Sequence, residues 1–283
     1  MSSRSKAELV LLSITFIWGS TFATSKYLLS SISPFLYIGV RFALAALILS
    51  VLYLSRVRSM TRNSFKRGGI LGSLLFAGFV FQTVGLQYTG ASKSAFITGM
   101  MVVFTPICQL IIERRAPKIG NVIGIVLVTI GLYLLTSPAG SEFNLGDALN
   151  LLCAVVFALY IVYLDVFSKG EDHVHLTLSQ FVVCTLLGLG AAPFVETLRF
   201  IPSAEVIGTL LYLTIFATVI AITVQVRFQK DTTPTRSAVI FSIEPVLAAG
   251  FAYFLLGEVL GPMGLLGGGM IVTGVLVSEL SPG

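Results

Sequence analysis

Two charged residues lie inside long apolar stretches of this 283-residue chain, and they are the first candidates for chemistry. Glu244 stands in the segment FSIEPVLAA, and Arg41 stands in YIGVRFALA. An ionised side chain at the centre of a membrane helix costs about 2.5–3.5 kcal/mol or more, so such a residue usually faces the interior of a helix bundle and has a function. Ligand binding is the chemistry expected of both groups, with proton transfer added for the carboxylate.

Two interpretations of Glu244 are open. In the first, it faces a central cavity, where it binds substrate or carries a proton. In the second, its protonated carboxyl group donates to the backbone carbonyl of Phe241, which Pro245 leaves free because proline has no N–H. The cavity role is favoured, and Glu244 is therefore the candidate for proton coupling.

Two interpretations of Arg41 are equally open. It lies about eight residues into its apolar run, where it could bind an anionic group of a substrate or pair with Glu244 across the bundle. Alternatively, its long side chain could extend to the outer membrane interface and keep its charge in water.

Polar neutral side chains add weaker candidates for substrate contact. Gln82 and Gln225 occupy positions related by a shift of 143 residues. Amides between membrane helices most often hydrogen-bond one helix to another, so that role is weighed ahead of contact with a substrate. Thr98, one helical turn after Ser94, completes this group.

Two aromatic residues are expected to form cavity walls. Trp18, the single tryptophan of the chain, lies in the middle of an apolar run and not at its end, where tryptophans of membrane proteins usually collect. Packing beside the small residues Gly19 and Ser20 is the alternative for Trp18. Tyr160 is the candidate for the opposite wall.

No pattern for a metal, a nucleotide or a catalytic triad is present in the sequence. The two histidines, His173 and His175, are two positions apart and so do not share a helix face; they are expected to be solvated. The three cysteines are scattered singly through apolar runs. A GxxxxGK[ST] loop, which ATP-driven transport would need, is absent. We therefore predict no cofactor, no metal and no enzyme activity.

The elements that must position these residues are membrane helices. Hydrophobic residues make up 55% of the chain and charged residues 11%, against about one quarter in soluble domains. About 20 apolar residues cross a bilayer as a helix. Charged and Gly/Pro/Ser/Asn breaks then divide the chain into ten predicted spans: 7–29, 34–54, 68–89, 92–112, 119–136, 146–168, 174–195, 205–228, 235–256 and 262–280.

Basic residues predict how these spans are oriented. With a cytoplasmic N-terminus, every Lys and Arg except Lys26, Arg41, Lys93 and Arg199 falls on the cytoplasmic side. This bias is the positive-inside rule, and an even number of spans brings the C-terminus back to the cytoplasm. Because the basic residues flank apolar spans, the net charge of +5 indicates a membrane surface and no nucleic-acid partner.

The two halves of the chain repeat each other. A shift of 143 residues places Ser94-Ala95 on Ser237-Ala238, Gly124 on Gly267 and Gly131 on Gly274. Five spans per half is an odd number, so the second half would enter the membrane upside down, as in many secondary transporters. The glycines at 267–269 and 274 predict close helix packing, with a homodimer contact as one possibility.

The series Ser237-Ala238, Glu244-Pro245 and Gly257-Glu258, with FIWGSTFATSKYLL in the first half, resembles the EamA repeats of the drug/metabolite transporter superfamily. The resemblance covers nearly the whole chain. The first half departs from the series, because Thr105-Pro106 stands where the second half has Glu244-Pro245. The resemblance implies a ten-helix carrier of the bacterial cytoplasmic (inner) membrane with a central cavity, often an exporter of amino acids or other small metabolites.

The prediction is an all-α integral membrane protein with two inverted five-helix repeats, residues 1–138 and 139–283. Its function would be alternating-access transport of a small molecule across the lipid bilayer. The alternatives are an integral membrane enzyme or accessory protein that handles lipid-linked substrates, and a passive pore.

Overall fold

Helices contain most of the residues that the computed structural model describes, which are 2–136, 143–256 and 261–280. Up to residue 136 they are α1 (Ser3–Gly19), α2 (Thr21–Leu28), α3 (Pro34–Leu52), α4 (Leu54–Val57), α5 (Arg62–Tyr88), α6 (Ala91–Gly99), α7 (Met101–Glu113) and α8 (Ile119–Thr136). From residue 143 they are α9 (Leu145–Ser168), α10 (His173–Val195), α11 (Ala204–Tyr212), a π-helical segment (Leu213–Ile220), α12 (Ala221–Phe228), a 3₁₀ turn (Gln229–Asp231), α13 (Pro234–Phe241), α14 (Glu244–Leu256) and α15 (Pro262–Leu280).

Several of these helices are long and apolar enough to cross a membrane. Within the described ranges, length and composition identify seven such stretches: Ser3–Leu28, Pro34–Leu52, Arg62–Tyr88, Ala91–Glu113, Leu145–Ser168, His173–Val195 and Ala204–Asp231. Two shorter apolar helices are Ile119–Leu135 and Pro262–Ser278. The surface is apolar as well, with Ile119 75% and Phe194 88% exposed, which suits contact with lipid.

The predicted spans fall on helical residues with ends that agree within a few positions, except at the third, which begins six residues earlier than predicted. For example, the predicted span 146–168 corresponds to α9, Leu145–Ser168. Crossing of the membrane by all ten spans stays a prediction. The Gly257-Glu258 pair of the sequence series lies outside the described residues.

Three predicted spans are discontinuous, and the sequence did not indicate this. The helix is interrupted at Ser20 between α1 and α2, at Met100 between α6 and α7, and at residues 242–243 between α13 and α14. Serine hydroxyls compete for helical carbonyls at two of the breaks: Ser20 Oγ donates to Ile17 O over 2.8 Å and Ser242 Oγ to Val239 O over 2.5 Å. A fourth irregularity is the π-helical segment Leu213–Ile220.

Pro245 therefore does not interrupt a continuous helix. It is the second residue of α14, where a missing N–H costs little because the first N–H groups of a helix have no intrahelical partner anyway. The carbonyl of Phe241, which the continuous-helix interpretation left unpaired, belongs to the last residue of α13.

Helices α8 and α15 pack closely through glycines. A Cβ atom built on Gly131 would lie 2.7 Å from Gly267 O, and one built on Gly124 would lie 2.6 Å from Gly274 O. Small residues of this kind let the backbones of membrane helices approach each other. The predicted close packing of Gly267 and Gly274 is thus made inside the chain; a homodimer contact stays a prediction.

The main apolar core surrounds the broken helices. Its buried members include Leu11 and Ile14 of α1, Phe42 of α3, and Phe241 at the end of α13. A second cluster, with Val128 and Ile271 among its members, lies between α8 and α15. The breaks at Ser20 and at residues 242–243 adjoin each other, because a Cβ atom on Gly19 would lie 2.7 Å from Leu247 Cβ.

Candidate functional site

A cavity of about 80 Å³ opens where the broken helices meet. Space of this size holds several water molecules. All seven residues predicted from the sequence line it: Trp18, Arg41, Gln82, Thr98, Tyr160, Gln225 and Glu244. The structure thus brings together side chains from residues 18 to 244; whether they bind a substrate stays a prediction.

Arg41 is 2% exposed and points into the bundle. Its Nε donates to Thr218 Oγ1 over 2.6 Å, and one terminal nitrogen donates to the Tyr37 hydroxyl over 2.8 Å. The guanidinium also lies over the Phe79 ring, 5.0 Å from its centroid. A guanidinium has five N–H donors. Hydrogen bonds to the described residues use two of them, so the others are available to a ligand in the cavity.

These contacts show that two of the roles considered for Arg41, extension to the outer interface and pairing with Glu244, are wrong. The side chain does not extend to the outer interface, because it is buried against Tyr37, Phe79 and Thr218. It also does not pair with Glu244, since no described carboxylate lies within 4.0 Å of its nitrogens.

Glu244 begins α14 and contributes its side chain to the cavity lining. Its carboxyl group makes no hydrogen bond with the described residues, including the Phe241 carbonyl that the backbone-repair interpretation required. The position at the first turn of a helix suits a carboxylate, because the helix dipole is positive there. Glu244 is therefore a carboxyl group that has no hydrogen-bond partner among the described residues, and it lines the same cavity as the unused donors of Arg41.

Aromatic rings form much of the wall. The Trp18 indole packs edge-on against Phe241, with 5.3 Å between ring centroids, and its Nε1 donates to Ala217 O over 3.1 Å. Tyr160 is 2% exposed, and its hydroxyl donates to Gln180 Oε1 over 2.8 Å. Both side chains are thus fixed by their polar ends and present mainly ring surface.

The neutral polar candidates differ in how many of their hydrogen-bonding groups are used by the protein. The Gln82 amide makes no hydrogen bond with the described residues, whereas Gln225 Nε2 donates to Gln229 Oε1 over 2.9 Å. Thr98 Oγ1 is buried beside the Cys153 thiol. The amide of Gln82 is thus available to a ligand, whereas that of Gln225 bonds to the adjoining 3₁₀ turn.

Sequence reasoning missed the residues that hold Arg41. Tyr37 is four positions before Arg41 and so on the same helix face, a spacing that could have found it. Thr218 lies 177 residues away in the π-helical segment, and its hydroxyl also donates to Leu213 O over 2.9 Å. Nothing in the sequence indicated that contact.

The histidines are placed differently from the prediction. His173 and His175 belong to the first turn of α10, and His175 is buried, with its Nε2 2.7 Å from Arg56 O. Across the described part of the chain, no group of three or more His, Cys, Asp or Glu side chains is arranged to hold a metal ion.

Long apolar helices around an internal cavity with a few polar side chains are the architecture of a multi-pass membrane protein, and sequence comparison identifies the kind. The model of the EamA-like transporter family matches residues 5–137 and again residues 144–280. The chain belongs to this family, which confirms the resemblance found in the sequence.

Relatives at greater and smaller distance are also named as transporters. A transporter of Archaeoglobus fulgidus, described as uncharacterised, is 35% identical over 97% of this chain and 86% of its own length. A Chlamydia muridarum protein named as an S-adenosylmethionine/S-adenosylhomocysteine transporter is 25% identical over 92% of this chain and 87% of its own. A solved crystal structure, 17% identical, shares the fold with a TM-score of 0.81 over 98% of this chain and 97% of that one.

Proposed function

We propose that this membrane transporter is a secondary carrier that exports amino acids or related zwitterionic metabolites by alternating access. The observation that carries the proposal is one cavity lined by Arg41 and Glu244, whose remaining N–H donors and whose carboxyl group have no hydrogen-bond partner in the described part of the chain. An α-amino acid has a carboxylate for the first and an ammonium group for the second. Aromatic walls at Trp18 and Phe241 would receive its side chain.

The name of the Chlamydia muridarum relative supports this substrate class. S-adenosylmethionine and S-adenosylhomocysteine, which that name gives as cargo, both contain an α-amino acid group. The complementary charges in the cavity would recognise that group and leave the remainder of the molecule to the aromatic walls.

The carrier would consist of ten membrane helices in two inverted repeats, residues 1–138 and 139–283. Three features support this arrangement. The family model matches the chain twice, and the helix breaks at Met100 and Ile243 are 143 residues apart. The same shift places Gly124 on Gly267 and Gly131 on Gly274, so it converts the Gly124–Gly274 contact into the Gly131–Gly267 contact. Discontinuous helices around a midplane site are typical of carriers with inverted repeats. The protein would lie in the cytoplasmic membrane with both termini in the cytoplasm.

Counterflow in reconstituted vesicles tests the proposal. Vesicles that contain the purified chain are loaded with pooled unlabelled amino acids, and uptake of each labelled amino acid is followed. Trans-acceleration is expected, because a carrier exchanges bound substrate faster than it returns empty. Equal uptake with and without internal amino acids would indicate a pore, and absence of uptake for every amino acid would exclude the substrate class.

Glu244→Gln separates proton coupling from binding. The amide keeps the size and loses the titratable group, so proton-driven transport should be lost at every substrate concentration. Exchange at equal pH should continue at a higher substrate concentration, because the amide oxygen still accepts a hydrogen bond from the ammonium group. Glu205→Gln is the matched control, because Glu205 is an exposed glutamate outside the cavity that accepts from the Tyr27 hydroxyl. Proton-driven transport that remains at the parent level would rule out Glu244 as the proton carrier.

A further inference from the structure

Asp165 has an oxygen atom that no described residue satisfies. It lies three residues before the end of α9 and is 2% exposed. Its Oδ2 accepts from Lys169 Nζ over 2.6 Å, whereas its Oδ1 is buried without a hydrogen-bond partner. A buried acceptor without a donor destabilises the folded state, so the group beside Asp165 Oδ1 determines whether this oxygen can be satisfied.

That neighbour is another carboxyl group. Glu113, the last residue of α7, lies close enough to Asp165 for their side chains to interact directly. Two adjacent carboxylates repel each other, and a single proton turns the repulsion into a hydrogen bond. Glu113 Oε2 already accepts from Gln109 Nε2 over 2.8 Å, which leaves Oε1 to carry a proton.

From this geometry we propose that Asp165 and Glu113 share one proton, donated by Glu113 Oε1–H to Asp165 Oδ1, and that this proton holds the cytoplasmic ends of the two repeats together. The proposal adds a second proton-binding site to the chain, at two residues that do not line the cavity. It rests on the proposed inverted-repeat carrier, because α7 belongs to the first repeat and α9 to the second.

The connection continues to a third helix. Gln109, one turn before Glu113, accepts at Oε1 from the Thr235 hydroxyl of α13 over 2.7 Å. Gln109 and Thr235 are 6% and 1% exposed. Loss of the shared proton would therefore favour separation of α7 from α9 and change the contact of α7 with α13.

The charged groups around the pair are few. Lys169 from α9 and Glu113 from α7 are those that act on Asp165 among the described residues. From α13 the contact is the neutral Thr235, while the basic Arg236 of that helix is turned to Glu8, 3.1 Å away. Gln229, the neutral residue that begins the 3₁₀ turn, bonds to Ile161 O one turn before Asp165.

Infrared spectroscopy of the protein in lipid tests the shared proton directly. A protonated carboxyl group has its own carbonyl stretching band, which should disappear from the parent spectrum as the pH is raised. Glu113→Gln and Asp165→Asn should each abolish the same band, because either amide supplies an N–H donor in place of the proton. Glu205→Gln should retain it. All spectra are recorded in a Glu244→Gln background, so that the carboxyl group of the cavity contributes no band. A titrating band that persists in both pair variants would then overturn the proposal.

A distance measurement tests whether the proton holds the repeats together. Spin labels on cysteines introduced at the exposed positions Arg115 and Asp231, with the native cysteines replaced by alanine, report the separation across the cytoplasmic face. We expect a longer distance in alkaline than in acidic buffer for the parent, and a short distance in both buffers for Glu113→Gln. A pH-independent distance in the parent would overturn the proposal.

The two proposals fail separately. Counterflow without the titrating band leaves the carrier intact and rejects the shared proton. A titrating band that both variants abolish, in a protein without counterflow, retains the proton site and rejects the carrier.

Discussion

Arg41 is fixed in place before any ligand arrives. Thr218 and Tyr37 hold two of its N–H groups, and the Phe79 ring lies against its plane. A side chain held in this way loses little further conformational entropy on binding, so more of the interaction free energy contributes to affinity. The guanidinium is thus a preorganised site for an anionic group.

Arg41→Lys is expected to weaken binding of the amino acid found by counterflow by roughly ten- to a hundredfold. Loss of a charge-assisted hydrogen bond is worth about 1.5–3 kcal/mol, and the single ammonium group of lysine cannot hold both anchors and a ligand at once. Isothermal titration of the purified protein measures the change. Thr218→Ser, which keeps the hydroxyl, is the control and should bind like the parent; equal affinity for Arg41→Lys would contradict the prediction.

Most residues that line the cavity and were named from the sequence stood out because burying a charged or polar side chain among apolar ones is unfavourable in free energy. Glu244 and Arg41 stood out because charges inside membrane spans are expensive, and Gln82 and Gln225 because they repeat. Asp165 and Glu113 were missed since charges near span ends are ordinary. Thr218 was missed because a contact across 177 residues leaves no local pattern.

At the scale of helices, the breaks determine where polar groups meet. The cavity lies where α1, α6 and α13 end, and residues within two positions of these ends line it: Trp18, Thr98 and Phe241. The lengths of the spans followed from hydropathy, whereas the breaks did not. Ser20, Met100 and Ser242 are compatible with a continuous helix, and only packing against neighbours decides that the chain bends there.

Gly267→Ala is expected to lower the thermal unfolding temperature. The added Cβ would lie 2.4 Å from Leu135 N and 2.5 Å from Gly131 O, both backbone atoms, so α8 and α15 would have to separate. Gly269→Ala is the matched control two residues away, where the added methyl group meets no atom within 4 Å. Thermal unfolding in detergent, followed by circular dichroism, measures both. Equal unfolding temperatures for the two variants would show that the close contact is not needed.

At the scale of the whole molecule, the carrier proposal requires a defined arrangement in the membrane. Basic residues such as Arg114, Arg115 and Lys169 cluster at one end of the helix bundle, next to the Asp165–Glu113 pair. Under the proposed topology, the positive-inside rule would place that end in the cytoplasm. An ion pair with a buried carboxylate lies toward the other end of α9, where Lys93 Nζ is 2.7 Å from Asp147 Oδ2 and Thr89 also donates to Asp147.

Cysteines at Arg115 and Thr197 should be labelled from opposite sides of the membrane. Both positions are exposed, and an inverted repeat with a cytoplasmic N-terminus places residue 115 inside and residue 197 outside. A membrane-impermeant maleimide applied to intact cells should modify Thr197→Cys and spare Arg115→Cys until the cells are opened. Labelling of both positions in intact cells would contradict the topology.

The single tryptophan gives this protein a built-in optical probe. Trp18 packs against Phe241 in the cavity wall, and the sequence contains no other indole to contribute background. Its emission colour and its accessibility to a soluble quencher therefore depend on whether water or a bound metabolite fills the space beside it. Occupancy of the cavity can be followed by fluorescence in real time, in the unmodified chain and without attaching a dye.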